Sequence, residues 1–187
     1  MWRSKEDNMT VIVDGTSGIT TNSGTLISAS TIGVGGTTPS ASGAGISFPA
    51  TQSASSDANT LDDYEEGTFT PSVNFGVTSP TYSNRFGRYV KIGSRVFFDI
   101  RVELSGGTGN SAQISMNGFP FTSSTSLPNG GGYSTYVDIG SGNAIWYIGD
   151  TSTQIQAYLN GSTSSFTTTG SVAGKFIIIS GQYSTST

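Results

Sequence analysis

Residues 95–104 read RVFFDIRVEL, and this stretch decides the fold class. Apolar side chains occupy every second position from Val96 to Leu104, and charged residues fill most of the positions between them. Successive side chains of a β-strand point to opposite faces of a sheet, so this period predicts an antiparallel strand with one buried face. Phe97 falls among the charged residues, which predicts that another sheet or subunit covers part of the second face.

Further stretches carry strand-like patterns along the rest of the chain. They are residues 68–75, 88–92, 112–116, 133–139, 144–148, 154–159 and 175–183. The run FIII at 176–179 is typical of a central strand covered on both faces. The Asn-Gly pairs at 117–118, 129–130 and 160–161 favour tight hairpin turns. About eight short strands separated by turns predict an all-β, antiparallel β-sandwich or jelly-roll-like head.

Composition excludes several functional classes. Charged residues are 11% of the chain, against about 25% in typical soluble domains, yet aromatics at 11% are enough to build a core. Without Cys or His, disulfides and Ser-His-Asp or Cys-His catalysis are impossible. The net charge of −4 without a basic patch argues against a nucleic-acid partner. Neither a long apolar run nor a phosphate-binding loop occurs, so we predict no membrane insertion and no cofactor.

Several short motifs follow one another between residues 60 and 122. They are LDDYEEGT at 61–68, Thr70-Pro71, Tyr82-Ser83, Gly87-Arg88-Tyr89, Lys91-Ile92-Gly93 and GFPF at 118–121. In order and spacing they resemble a segment of the tail-fibre and other virion structural proteins of tailed bacteriophages. The resemblance spans residues 31–122, and it implies a location in the virion and assembly as a homotrimer.

The first part of the chain differs in character from the rest. Residues 15–56 contain no charged side chain, and the short strand candidate Met9–Val13 precedes them, ending at the turn pair Asp14-Gly15. A Gly/Ser-rich stretch is typical of a flexible linker. Its scattered Ile and Val, taken with the family resemblance, favour instead a segment ordered by identical neighbouring chains. We predict an anchor or shaft over residues 1–60 and a β-sandwich head over 61–187.

Four acidic residues crowd together near the start of the predicted head. Asp62, Asp63, Glu65 and Glu66 fall within five positions. Clustered carboxylates suit Ca²⁺ or Mg²⁺, although the spacing does not match an EF-hand loop. The alternative is a solvated turn or a short helical cap, where acids are favoured in the first turn. We prefer the alternative and predict no metal site.

The sequence offers no persuasive catalytic group. Two carboxylates could hydrolyse a glycosidic bond, but Asp138 and Asp150 are the only acids after Glu103. Each follows a predicted strand near glycine, where Asp is common in turns. We therefore predict that the chain is not an enzyme.

Aromatic residues in the second half are the better candidates for recognition. An exposed ring can stack on the C–H face of a sugar while neighbouring amides bond its hydroxyls. The alternation in 144–148 places Trp146 and Tyr147 on opposite faces, so one of them should point outward. The alternative is that these rings fill the core or a subunit interface. The candidate glycan-binding residues are Tyr133, Tyr136, Trp146, Tyr147 and Tyr158.

These observations lead to one principal expectation and two alternatives. The chain is expected to be a short tail fibre or fibre-like appendage that attaches the virion to a host surface polysaccharide. Its N-terminal segment would bind a baseplate or adaptor protein of the tail. The first alternative is a capsid decoration or head-fibre protein that binds and stabilises the shell. The second is a polysaccharide-degrading tail spike, which the shortness of the chain and the missing acid pair disfavour.

Overall fold

The computed structural model describes residues 31–38, 44–51, 55–57, 59–125, 130–139, 143–159 and 167–185. All regular secondary structure in these ranges is β-strand, so the predicted all-β class is confirmed. The strand candidate Met9–Val13, the turn at Asp14-Gly15 and the turn at Asn160-Gly161 lie outside the described residues. Most of the predicted anchor segment 1–60 lies outside them as well.

The chain separates into two units, Met1–Ser47 and Phe48–Thr187. In the first, β1 (Thr31–Gly33) pairs in parallel with β2 (Gly45–Ser47). The Val34 N–H extends this pairing by donating to the carbonyl of Ser47 at 3.0 Å. Ile46 is exposed on this small sheet.

The second unit is built from one ten-stranded sheet. Its strands are β3 (Tyr64–Phe69), β4 (Ser72–Phe75), β5 (Val77–Ile92), β6 (Arg95–Gly109), β7 (Ser115–Asn117), β8 (Gly131–Val137), β9 (Ala144–Ile148), β10 (Gln154–Leu159), β11 (Gly170–Ser171) and β12 (Lys175–Ser184). The order across the sheet is β3-β5-β6-β12-β8-β9-β10-β7-β4, and β11 pairs with β6. The pairings in this sheet are antiparallel.

The hairpin of β5 and β6 is the longest element. A two-residue turn at Gly93-Ser94 joins them, and Gly93 has a φ of +54°, which glycine adopts without steric cost. The predicted alternation in β6 is confirmed, because its apolar side chains from Val96 to Leu104 are all buried. Phe97 faces the other way and is 45% exposed. The strand predicted over 88–92 is the last part of the much longer β5.

Strand β12 lies in the middle of the sheet, between β6 and β8. This position confirms the central strand predicted from FIII at 176–179. Ile177 and Ile179 are fully buried on the inner face, whereas Phe176 and Ile178 on the outer face are only partly buried. The outer face of this strand is therefore less covered than the continuous apolar run predicted.

The sheet curls so that β4, at its far end, returns towards β5. The Val73 N–H of β4 donates to the Tyr82 hydroxyl of β5 at 2.9 Å. The inner face of the curl holds the core, to which almost every strand contributes; its largest fully buried side chains include Tyr183, Ile100, Leu104, Met116 and Ile155. The strands form one continuous hydrogen-bonded sheet. That the head is a sandwich of two separate sheets remains a prediction.

Two local expectations were wrong. The single strand predicted over 68–75 is interrupted at Pro71, which has no N–H to donate to a ladder, so β3 ends at Phe69 and β4 begins at Ser72. Asn117-Gly118 does not join two paired strands, since β7 pairs with β4 and β10. Gly118 instead has a φ of +101° and packs closely on the Thr70 carbonyl oxygen.

Candidate functional site

Two of the predicted recognition residues stand out on the outer face of the curled sheet. Tyr133 of β8 is 61% exposed, and Tyr147 of β9 is 46% exposed. Tyr158 of β10 is half-buried beside them. Trp146 does not join this group, because it is 3% exposed in the core and its indole Nε1 donates to the Ser134 hydroxyl at 2.6 Å. A ring in that position is not available to stack on a sugar.

The strand register brings the outward tyrosines together. Tyr133 is the cross-strand partner of Ile145, and Ile145 is the partner of Tyr158. Tyr147 lies in the adjacent row opposite Gln156. The rings of Tyr147 and Tyr158 meet edge to face with centroids 6.5 Å apart. We call Tyr133, Ile145, Tyr147 and Tyr158 the tyrosine patch.

Amide groups border this patch, as the sequence predicted. The Tyr158 hydroxyl donates to the Gln156 side-chain oxygen at 3.4 Å. Gln154 lies on the same face one step along β10, and its side-chain amide donates to the Ser115 hydroxyl. Ile155 and Ala157 form the opposite, apolar face of β10, where both are fully buried.

Tyr136 is exposed but occupies a different part of the outer face. An irregularity in the pairing of β12 with β8, between Ile178 and Ile179, places Tyr136 opposite Ile178. Its ring contacts Phe176 with centroids 6.4 Å apart. Alternation alone would put Tyr136 on the face opposite to that of Tyr133, and the bulge, which the sequence pattern does not reveal, returns it to the outer face.

A groove of about 690 Å³ opens on the same outer face, across β3, β5, β6 and β12. We call it the outer groove. One side is formed by the polar cross-strand row Thr68, Arg88, Asp99 and Ser180, and the other by the row Glu66, Val90 and Phe97. Its floor includes the intervening residues Gly67, Tyr89, Phe98 and Gly181. No local sequence pattern predicts this site, because its residues come from four strands.

Asp99 organises the polar side of the outer groove. Its carboxylate accepts hydrogen bonds from the Ser180 hydroxyl at 2.7 Å and from Nε of Arg88 at 2.9 Å. The bond from Ser180 lowers the pKa of Asp99; partial burial opposes this shift, and the hydrogen bond and charge of Arg88 reinforce it. The carboxylate is therefore held ionised and fixed in direction.

The acidic cluster is divided between the two faces of β3 rather than gathered at one point. The expectation of a helical cap was wrong, because Tyr64–Phe69 is a strand. Asp63 forms a buried ion pair with Lys91, and burial lowers the pKa of Lys91 while the charge of Asp62 opposes that shift. In the described part of the chain, no group of three or more His, Cys, Asp or Glu side chains could hold a metal ion.

Glu65 accepts a hydrogen bond from the hydroxyl of Tyr89. Burial, with this bond and the charge of Glu65, raises the pKa of Tyr89 to about 12. Glu66, on the other face, accepts from the Tyr64 hydroxyl at 2.8 Å. Each of these carboxylates thus has a neighbouring donor, which explains why strand β3 tolerates them side by side.

A second, more polar cavity of about 390 Å³ lies beside the start of β12. Its lining includes Asp138, Thr168, Ser171 and Lys175. The Asp138 carboxylate accepts the Phe176 N–H at 2.5 Å, so it fixes the backbone where β12 begins. Asp150 lies in the turn between β9 and β10, and both acids therefore occupy the ends of strands, as predicted.

No protein family model, curated protein or solved structure matches this chain. Among the described residues, no helix is long and apolar enough to cross a membrane.

Proposed function

We propose that this chain is a structural protein of a bacteriophage virion, a short tail fibre or fibre-like appendage that attaches to a host surface polysaccharide. The observation that carries the proposal is the tyrosine patch. The rings of Tyr133 and Tyr147 are exposed on neighbouring strands of the sheet, Tyr158 is half-buried beside them, and Gln154 and Gln156 border the patch. The family resemblance of residues 31–122 supplies the setting in the virion.

The physical argument rests on how sugars are recognised. A pyranose ring has an apolar C–H face that packs on an aromatic ring, and hydroxyls that bond to side-chain amides. Tyrosine loses little conformational entropy when it does this, and here its position is already set by the sheet. A single patch of this size binds weakly, so a homotrimer would gain effective affinity by presenting three copies to one cell surface.

The test is binding of fluorescently labelled protein to a panel of bacterial strains, with the oligomeric state measured by light scattering. Tyr133→Ala and Tyr147→Ala should each lower cell binding roughly tenfold, the loss expected for about 1.4 kcal/mol per site. Tyr136→Ala is the matched control, because Tyr136 is an exposed tyrosine on the outer face that belongs to neither the patch nor the outer groove. Equal binding by all three variants would refute attachment through the patch.

A capsid decoration protein is the second candidate, and a different observation favours it. The outer face also exposes Phe86, Ile92 and Phe97, outside the tyrosine patch. Exposed apolar area of this kind is typical of surfaces that another protein covers. Cryo-electron microscopy of the virion separates the candidates. Three-fold density projecting from the tail supports a fibre, and density on the shell would replace adhesion with shell stabilisation.

A further inference from the structure

The outer groove and the tyrosine patch belong to the same cross-strand row. From β3 to β10, successive partners in the register are Thr68, Arg88, Asp99, Ser180, Tyr133, Ile145 and Tyr158. The adjacent row runs in parallel through Glu66, Val90, Phe97, Gln182, Gly131, Tyr147 and Gln156. The two features therefore follow one curved path around the outer face of the curled sheet.

Gly131 marks where the groove meets the patch. It is the only residue without a side chain in the second row, and it lies between Gln182 of β12 and Tyr147 of β9. Because Gly131 has no side chain, the second row projects least from the sheet at this residue. Strands lie about 4.8 Å apart, so the six intervals from β3 to β10 give a path of about 29 Å along the sheet.

The chemistry of the outer groove suits a carbohydrate. Phe97 and Val90 offer apolar surface on one side, while Arg88, Asp99 and Ser180 offer fixed donors and acceptors on the other. Arg88 uses Nε for the bond to Asp99, and its side chain is 69% exposed, so the terminal nitrogens extend towards solvent. A carboxylate and a guanidinium held side by side can bond neighbouring sugar hydroxyls as acceptor and donor.

The charges of the path indicate which carbohydrate it would take. The groove contains two carboxylates, Glu66 and Asp99, and one guanidinium, Arg88. The tyrosine patch contributes no charged side chain. Along these two rows an anionic chain would meet no net positive charge.

We propose that the outer groove and the tyrosine patch form one continuous track for a linear, neutral polysaccharide. The track binds the interior of the chain across several sugar units, rather than its terminal sugar. This inference rests on the proposed glycan-binding function, and it adds the ligand class and a second set of binding residues to it.

The experiment uses surface polysaccharide stripped from cells that the wild-type protein binds. The material is partly hydrolysed, separated into neutral and acidic fractions, and graded by chain length. Kd is measured for each fraction by titration calorimetry. For the wild type we expect neutral fragments to bind, with an affinity that rises with length until the track is full.

Arg88→Ala and Phe97→Ala test the groove separately from the patch. Each should weaken long fragments roughly tenfold while leaving the shortest fragments unchanged, because these bind at the tyrosines alone. Arg101→Ala is the matched control, since Arg101 lies on the same face of β6 but one row away. Circular dichroism and thermal unfolding confirm that each variant is folded, and Phe97→Ala leaves the Arg88–Asp99 pair intact.

The outcomes separate the two proposals. Length-dependent binding that both groove variants weaken for long fragments, but not for the shortest ones, supports the track. Binding that depends on Tyr133 and Tyr147 but not on fragment length or on Arg88 and Phe97 overturns the track and leaves the attachment function standing. Binding confined to acidic fractions overturns the ligand class. If the wild-type protein binds no cell or polysaccharide, both proposals fail together.

Discussion

The ring of Phe69 lies directly against the backbone of Gly87, its cross-strand partner in the β3–β5 pair. A Cβ atom at position 87 would lie 2.5 Å from the end of that ring. Two residues away on each strand the roles are exchanged, because there the ring of Tyr89 in β5 covers the backbone of Gly67 in β3. Gly67, Gly87 and Tyr89 belong to the motifs at 61–68 and 87–89, and Phe69 directly follows the first, so this part of the sequence encodes close packing of rings on glycines.

Gly87→Ala should therefore lower the free energy of unfolding by about 1–3 kcal/mol, because the added methyl overpacks the site. Gly149→Ala is the control, since the nearest atom to its Cβ would be 3.9 Å away. Urea unfolding measures both. Replacing Phe69 by Leu in the Gly87→Ala background should recover part of the loss. A Gly87→Ala protein as stable as the wild type would show that the ring moves aside freely.

The buried ion pair of Asp63 and Lys91 gives a second prediction. Lys91→Met leaves the Asp63 carboxylate buried without its counter-charge, and should cost about 3–5 kcal/mol of unfolding free energy. The double variant Asp63→Leu with Lys91→Met removes both charges and should be closer to the wild type than the single variant. A double-mutant cycle by urea unfolding measures this coupling. Additive losses would mean that the two charges do not stabilise one another.

Acid should weaken the sheet through Asp99. Its pKa in the folded protein lies below its ordinary value of 3.8, chiefly because of the bond from Ser180. Between the ordinary pKa of 3.8 and the lower pKa of Asp99 in the folded protein, the unfolded chain binds more protons than the folded one. The stabilisation from Asp99 is therefore complete above pH 3.8 and is lost as the pH falls through the folded pKa. Asp99→Asn should show a flatter decline of unfolding free energy below pH 3.8. Ser180→Ala should reduce the same slope, and curves identical to the wild type would contradict the assignment.

Thr151 gives a prediction of increased stability. It is exposed in the turn after β9 with a φ of +45°, a conformation that is costly for a β-branched residue. Thr151→Gly relieves that strain, and should raise the free energy of unfolding by about 0.5–1 kcal/mol after the entropic cost of glycine. Thr153→Gly, nearby and exposed but without positive φ, should have the opposite sign. Thermal unfolding of the two variants decides the matter.

The sequence pattern predicted the strands better than their pairing. Alternation is a local property: it placed the side chains from Val96 to Leu104 on the correct faces and put Trp146 and Tyr147 on opposite faces, but it did not tell which of the two rings points outward. The interruption at Pro71 could have been foreseen from its missing N–H. The row from Arg88 through Asp99 to Ser180 could not, because residues 81 positions apart meet there. Candidate residues on one strand were therefore accessible to sequence reasoning, and the outer groove was not.

Strand β12 carries a consequence for how the chain acquires its structure. It is the last strand along the described residues, yet it joins β6 to β8 in the middle of the sheet. During synthesis the β5–β6 hairpin can form early, because its contacts are local. No strand joins β6 to β8 until residues 175–184 leave the ribosome, and such long-range pairing is intrinsically slow. Until then β6 presents an unpaired edge beside exposed apolar residues, so the nascent chain is most vulnerable to aggregation before β12 has paired.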